Sequence, residues 1–363
     1  MVITLNGTAV ENDMGMFPYK SIIPLLLTTG TDEETSLLTA ALAYRDTEYD
    51  VNDPATNLGF KKRLELSKES KIFDMVGPIA SALFQQTRYI PPGVAIEIRM
   101  IRSPPEFCLQ SSTQSKTGVS GVPYIYSIEE CQLFLKSNTI RHDILRHHQT
   151  MFAKGAVAQY PVTQYDPRVS QIAKGSTTFL TEMLWSGKLP QYCIFALVEP
   201  AAYNGQLNLS PFNFKDHGLS AITLKCDHDS IVYQTINVDY TLGNFQLGFH
   251  SIADCLGNRI SGNAIPRDLY PKGYAYYVFH LLPTTASGTD LQPERRGSMR
   301  VSKIFYTLFR FDTKRSVKYI IIDFLLKAEL QFKSPTAGPL NCIALGVFQN
   351  IIQINRDRNV HVL

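Results

Sequence analysis

The sequence predicts an all-β chain of two β-sandwich domains in tandem, with a few short helices in the loops. Three observations predict it. Short apolar or alternating runs recur from residue 94 to residue 354, as half-buried and buried strands do. Glycine and proline, 22 and 20 in number, separate those runs as turn residues. The strand pattern also starts again after Pro161. Two blocks therefore meet near residues 155–165, and 363 residues supply enough chain for two cores.

Each element has a local signature. Ile22–Leu27 is one apolar run with Pro24 inside it. Thr31 and Glu34 have capping-box spacing, and Leu37, Leu38, Ala41 and Leu42 share a face, so a helix is predicted there. Asp46 to Gly59 reads as a polar loop. Val94, Ile96, Ile98 and Met100 alternate with Ala95, Glu97 and Arg99, a half-buried strand. Residues 124–136 form a second strand candidate, with Cys131, Leu133 and Leu135 on one face. A helix is predicted over 141–153, where Ile144, Leu145, His148, Met151 and Phe152 share a face.

In the second block, Tyr192–Val198 is short enough for a buried strand. Ile222, Leu224 and Cys226 alternate with polar residues, and Asp227-His228-Asp229 turns into residues 230–236, which predicts a hairpin. Further strands are predicted near 274–282, 299–309, 318–332 and 341–354. No repeat is visible residue by residue.

Composition excludes several function classes. Hydrophobic residues make up 44% and charged residues 18%, below the roughly 25% of an average soluble chain. Much of the surface is therefore expected against other protein, not in a solvated tail. The net charge of +3 is too small for nucleic-acid wrapping. The basic pairs Arg295-Arg296 and Lys314-Arg315, and the nearby Arg356 and Arg358, are scattered, so no sequence-specific nucleic-acid binding is expected. The six cysteines at 108, 131, 193, 226, 255 and 342 form no Cys-x-x-Cys pair. They are expected to be reduced, small, buried hydrophobes. Met1–Gly7 lacks a signal-peptide pattern, and no run reaches the ~18 apolar residues of a membrane span. The chain is expected to be made inside the cell and soluble until it assembles.

Candidate chemistry is thin. His142, His147 and His148 cluster, but a zinc helix wants two histidines one turn apart flanking a glutamate. Asp46, Glu48, Asp50, Asn52 and Asp53 imitate a calcium loop, yet Val51 and Asn57 stand where that loop needs glycine and a bidentate glutamate. Gly118-Val119-Ser120-Gly121 is only loosely a nucleophile elbow. Glu129 and Glu130 are adjacent, so on a strand they face opposite ways and cannot act as a carboxylate pair. No catalytic, cofactor-binding or metal-ligating residue is assigned, and no cofactor. The chain is read as a structural protein, not an enzyme.

Three stretches carry a resemblance. They are residues 67–109 (SKESKIFDMVGPIASALFQQTRYIPPGVAIEIRMIRSPPEFCL), 159–224 (with QYPVTQYDPRVSQIAKG and LWSGKLPQYCIFALVEPAAYNGQLNLSPFNFKDHGLSAITL) and the terminal GYAYYVFHLLP, GSMRV and NCIALGVFQNIIQINRDRNV. Together they resemble the double jelly-roll, hexon-like major capsid proteins of Polinton/Maverick elements and adintovirus-like viruses. The resemblance implies two eight-stranded jelly rolls, over 1–158 and 159–363. It implies a homotrimeric, pseudo-hexameric capsomer that packs against neighbouring capsomers in an icosahedral shell. A single jelly-roll penton protein would fill the vertices, and the shell would enclose a double-stranded DNA genome. The chain would reside in the virion capsid.

By the same resemblance, Ser67-Lys68 and Gly77-Pro78 lie in the first jelly roll, and Tyr160-Pro161 opens the second. Trp185, Gly187 and Leu189-Pro190 lead into its central strand. Asn204-Gly205 and Pro211-Phe212-Asn213-Phe214 follow as a loop, with Phe212 and Phe214 either anchoring it or serving as ordinary core aromatics. The pattern breaks after Val301 and resumes at Ala328, so residues 302–327 are an expected insertion or gene-model artefact. Two other readings stay open. One is a jelly-roll binding module, lectin-like or host-adopted, that forms no virion; the other is an enzyme on a β-sandwich.

Overall fold

The computed structural model describes residues 1–49, 52–111, 124–181, 184–186, 188–226, 231–255, 265–281 and 325–362. These residues are mostly β-sheet with short helices, the fold class the sequence predicts. They divide into two compact units. The first holds Met1–Pro167, Pro200–Asn213 and Gln349–Leu363; the second holds Arg168–Glu199 and Phe214–Phe348.

The first unit opens on a hairpin, β1 (Val2–Leu5) and β2 (Thr8–Asn12). Asn6 and Gly7 form its two-residue turn at φ 48° and 78°, the left-handed pair such a turn requires. Helix α1 (Phe17–Thr28) follows and runs through Pro24. The single helix predicted from Thr31 is broken. It forms α2 (Thr31–Thr35) and a separate 3-10 turn, Leu37–Ala41, because Ser36 leaves helical geometry at φ −117°, ψ −93°. The expected apolar face is not buried there, and Leu37 is exposed. Helix α3 (Leu58–Ser67) is capped by Asn57, whose side chain accepts from the Phe60 amide at 3.1 Å. Short α4 (Ala82–Gln85), β3 (Ile96–Arg99) and α5 (Pro105–Cys108) come next. β1 lies between β2 and β3 in a three-stranded antiparallel sheet.

Residues 124–136 correct the sequence reading. They lie in no strand, and Tyr124, Ile125, Leu133, Phe134 and Leu135 are all exposed. Alternation alone cannot make a strand, because the backbone needs a partner to hydrogen-bond with. The predicted helix does form, as α6 (His142–Ala153), but none of its side chains is buried. β4 (Ala158–Ile172) closes the run. The core of this unit gathers Ile3, Leu5, Val10, Leu83, Tyr160, Val162, Ile352, Ile354 and Val360.

The second unit is a β-sandwich. Its strands are β5 (Thr178–Leu180), β6 (Trp185–Ser186), β7 (Tyr192–Val198), β8 (Leu219–Cys226) and β9 (Ile231–Asn237), then β10 (Tyr277–His280) and β11 (Leu325–Phe332). β12 (Leu340–Ile354) and β13 (Val360–Val362) end the chain, and the division into units falls within β4 and within β12. Helices α7 (Pro200–Asn204) and α8 (Gln246–Cys255) lie between strands. One sheet orders β10-β7-β12, and the other orders β5-β11-β8-β9 with β6 also on β11. All these pairs are antiparallel. Phe195, Leu197 and Phe279 from the first sheet share one core with Ile222, Leu224, Leu326 and Leu330 from the second. β7 is central because six of its seven residues are buried, as a continuous apolar run demands.

The predicted strands at 192–198 and 341–354 therefore form, as do both arms of the predicted hairpin, in Leu219–Cys226 and Ile231–Asn237, and the core of 274–282, while the Asp227-His228-Asp229 turn lies outside the described residues. The strand predicted at 299–309 lies outside the described residues, and of 318–332 only Leu325–Phe332 is described. Of the expected insertion, Leu325–Lys327 belong to β11 and 302–324 lie outside the described residues.

Candidate functional site

The residues that the resemblance singled out fall into two aromatic groups. Phe212 belongs to the first unit. It meets Tyr19 at 5.7 Å and Phe107 at 5.8 Å, both edge-on, while Tyr203 stacks on Tyr19 at 5.4 Å. Gly205 makes this approach possible. Its φ is +94°, and a Cβ there would stand 2.8 Å from the Phe107 amide nitrogen. Phe214 belongs to the second unit. It is fully buried, packs on Tyr276 at 5.1 Å, and bridges Tyr274 through its backbone. Phe212 thus anchors its loop, and Phe214 is a core aromatic.

Trp185 is buried and meets Phe348 edge-on at 6.2 Å. Tyr160 is buried in the first unit and donates to the Tyr89 carbonyl at 3.0 Å. Ser67-Lys68 end α3 and Gly77-Pro78 are exposed, all in the first unit. Leu189 packs against the sandwich core; Gly187 lies outside the described residues.

The candidate chemistry resolves mostly into structure. His142, His147 and His148 ride on exposed α6. Asp46 binds Arg63 at 2.5 Å, Asp53 accepts from the Ala55 amide at 2.9 Å, and Asn57 donates to the Glu48 carbonyl at 2.9 Å, so this loop is held by its own hydrogen bonds. Asp50 and Val51 lie outside the described residues, as do Gly118–Gly121. Glu129 accepts from Ser127 at 2.6 Å and Glu130 from Gln132 at 2.5 Å, and both are exposed. Among the described residues, no group of three or more His, Cys, Asp or Glu is placed to hold a metal ion. No helix among them is long and apolar enough to cross a membrane.

The cysteines divide. Cys193 and Cys342 are buried, and burial pushes the Cys342 thiol up to about 12. Cys108 and Cys131 are exposed, which corrects the expectation of uniform burial. The side chains of Cys226 and Cys255 lie outside the described residues.

Sequence reasoning missed one buried charged cluster. Lys20 of α1 lies between Glu11 and Asp13, 2.5 Å from the latter, and Ser81 Oγ donates to Glu11 at 2.5 Å. All four are nearly sealed from solvent. Burial lowers the Lys20 pKa to about 8 and raises that of Asp13 to about 6. The cluster ties the end of β2 to α1 and to the turn before α4.

The most unusual surface is apolar. Between residues 72 and 157 of the first unit, large side chains stand in water: Ile72 at 87% exposure, Ile125 at 78% and Phe134 at 79%, with Met75, Ile101 and Leu135 also exposed. Isolated exposed apolar residues are ordinary, and the described part of this segment carries many of them.

No protein-family model matches the chain. A Caenorhabditis elegans protein, described as "Uncharacterized protein F54H12.2", is 20% identical over 360 residues, covering 98% of this chain and 77% of that protein. Among solved structures, the mavirus major capsid protein is similar with a TM-score of 0.31 and 9% identity, over 57% of this chain and 41% of its own. The Sputnik virophage cryo-EM structure gives 0.33 and 10%, over 57% and 39%. PBCV-1 VP54, fitted into a reconstruction of Sputnik, gives 0.33 and 10%, over 60% and 53%. This chain therefore spans roughly two fifths to one half of those structures.

Proposed function

We propose that this chain is a non-enzymatic major capsid protein of an icosahedral double-stranded DNA virus or virus-like transposon of the Polinton/Maverick kind. It is built of two jelly rolls, residues 1–158 and 159–363. Three copies close into a pseudo-hexameric capsomer that packs against its neighbours in the virion, with a single jelly-roll penton protein at the vertices and the genome enclosed.

The exposed apolar run between residues 72 and 157 carries this reading. A surface of that kind needs a large, permanent protein partner. A cyclic trimer supplies one without leaving an open end. The long, ordered sequence blocks that resemble the capsid family support the same reading, as does the second unit's antiparallel sandwich, which packs two sheets over one core.

Negative-stain microscopy of the purified chain, with a mass measurement, tests it. Pseudo-hexagonal particles of about three times 40.8 kDa are expected. A monomer of 40.8 kDa under assembly conditions would sink the capsid reading and favour the binding module.

A further inference from the structure

We infer that residues Val301–Lys327 are an intron translated into the sequence, and that the mature message joins Arg300 directly to Ala328. The argument starts from β11. Leu326, Ala328, Leu330 and Phe332 are buried in the sandwich core, while Lys327, Glu329 and Gln331 point away from it. β11 lies opposite β8 in one register, Leu326 against Cys226 and Lys327 against Lys225, through Leu330 against Ile222. Side chains alternate strictly along a strand, so removing an even number of residues preserves the face of every residue before the cut, and removing an odd number reverses it.

The sequence before the segment reads Gly297-Ser298-Met299-Arg300-Val301. Joining Val301 to Ala328 would put Arg300 in the position of Leu326, a fully buried place beside Trp185 and opposite Cys226. A cation there has no partner and is strongly disfavoured. Joining Arg300 to Ala328 puts Met299 in that place and Arg300 in the position of Lys327. Methionine for leucine conserves apolar volume, and arginine for lysine keeps a cation on the outer face. The break read from the sequence pattern, after Val301, is thus moved one residue earlier by the pleat of the strand.

Two features of the segment agree independently. It contains none of the chain's 22 glycines or 20 prolines and no alanine, while holding four Phe, four Ile and four Lys. The absent residues have codons beginning with two G or C bases, and the abundant ones have codons beginning with two A or T bases, as in A/T-rich non-coding DNA. Spliceosomal introns begin with GT and end with AG. Every valine codon begins with GT, and one lysine codon ends in AG, so Val301 and Lys327 fit both ends without splitting a codon. Valine-serine-lysine can also be written GTAAGTAAA, which opens with a strong donor site. No serine codon begins with GT, so an uninterrupted-codon intron cannot start at Ser302.

Reverse transcription across this region tests the inference. The expected product is 81 nucleotides shorter than the genomic sequence, three for each of the 27 residues from 301 to 327, with the Arg300 codon joined to that of Ala328. A product of genomic length alone, or a joint at any other codon, overturns it. The strand argument has its own test in the full chain. The double variant L326M/K327R copies the inferred joint and should melt within a few degrees of the parent. L326R/K327V copies the joint one residue later and should lose the cooperative transition. Equal stability of the two variants overturns the register argument whatever the message shows.

Discussion

Gly346 of β12 lies directly against the indole of Trp185, and a Cβ at that position would stand 2.6 Å from the ring atom Cε2 and 2.7 Å from Cζ2. Glycine is required here by the close approach, since no left-handed backbone angle is recorded for it. Gly346→Ala should therefore destabilise the sandwich by about 1–3 kcal/mol through overpacking. Trp185→Phe in the same chain should recover part of that loss, because the two sites share one space. Denaturant melts of the two single variants and the double variant give the coupling. Strict additivity would refute the contact.

Leu330 is buried on the core face of β11, and its neighbour Gln331 is exposed. Leu330→Ala should cost about 2–5 kcal/mol, the range for removing a core leucine. Gln331→Ala should change stability by less than about 0.5 kcal/mol. Urea midpoints measure both, and comparable losses at the two positions would contradict the assigned register.

Asp239 has its pKa lowered from 3.8 to about 2, first by the hydrogen bond from Thr241 and then by that from Lys333. The Lys333 ammonium lies 3.0 Å from its carboxylate. A depressed folded-state pKa means the ionised form is favoured in the native chain. Its stabilising contribution is complete above the unfolded value and is lost as pH falls from about 4 to about 2. Asp239→Asn should flatten the stability profile in that window alone. Thermal melts of both proteins from pH 5 to pH 2 would show parallel curves if the hydrogen bonds were immaterial.

Thiol labelling should separate the described cysteines. Cys108 and Cys131 are exposed, while Cys342 is buried with its thiol pushed up to about 12. Thiolate is the reacting species. Brief maleimide treatment of the folded monomer, followed by peptide mapping, should modify the first two and spare Cys193 and Cys342. Rapid modification of Cys342 without unfolding would contradict its placement.

Phe134 and Leu135 are exposed. If the proposed trimer buries this segment, Phe134→Glu with Leu135→Lys should leave the far-ultraviolet spectrum unchanged and abolish trimer formation, since charges within an apolar interface are unfavourable. Light scattering supplies the mass. A trimer that survives both substitutions would remove this segment from the subunit contact.

The strands most legible in the sequence are those whose signal is local. Tyr192–Val198 and Leu340–Ile354 are long apolar runs, and a buried strand can be read from such a run without knowing its neighbours. The first unit was less legible because its partners are remote. Ile3 pairs with Ile98, and Ile352 and Ile354 complete the same core from the far end of the chain. Residues 124–136 alternate like a strand, but periodicity does not say where a partner edge is. One local signal was present and unused: Asn6-Gly7, a dipeptide with a strong hairpin preference, sits at the β1–β2 turn.

The aromatic loop was half legible. Phe212 and Phe214 stand out in the sequence, yet only the structure separates an anchor on Tyr19 and Phe107 from a core residue on Tyr276. The Lys20 cluster left no local trace, because Ser81 reaches Glu11 across 70 positions.

Glu129 and Glu130 sit in the middle of an extended, apolar-rich stretch, exposed and hydrogen-bonded only to Ser127 and Gln132. Unpaired extended chain of this kind is prone to stack with identical copies in fibrils. Stacking in register would set each glutamate directly above its own image, and the repulsion would accumulate with every layer. In such a stack the two carboxylates would oppose self-association, the part that charges play beside apolar segments.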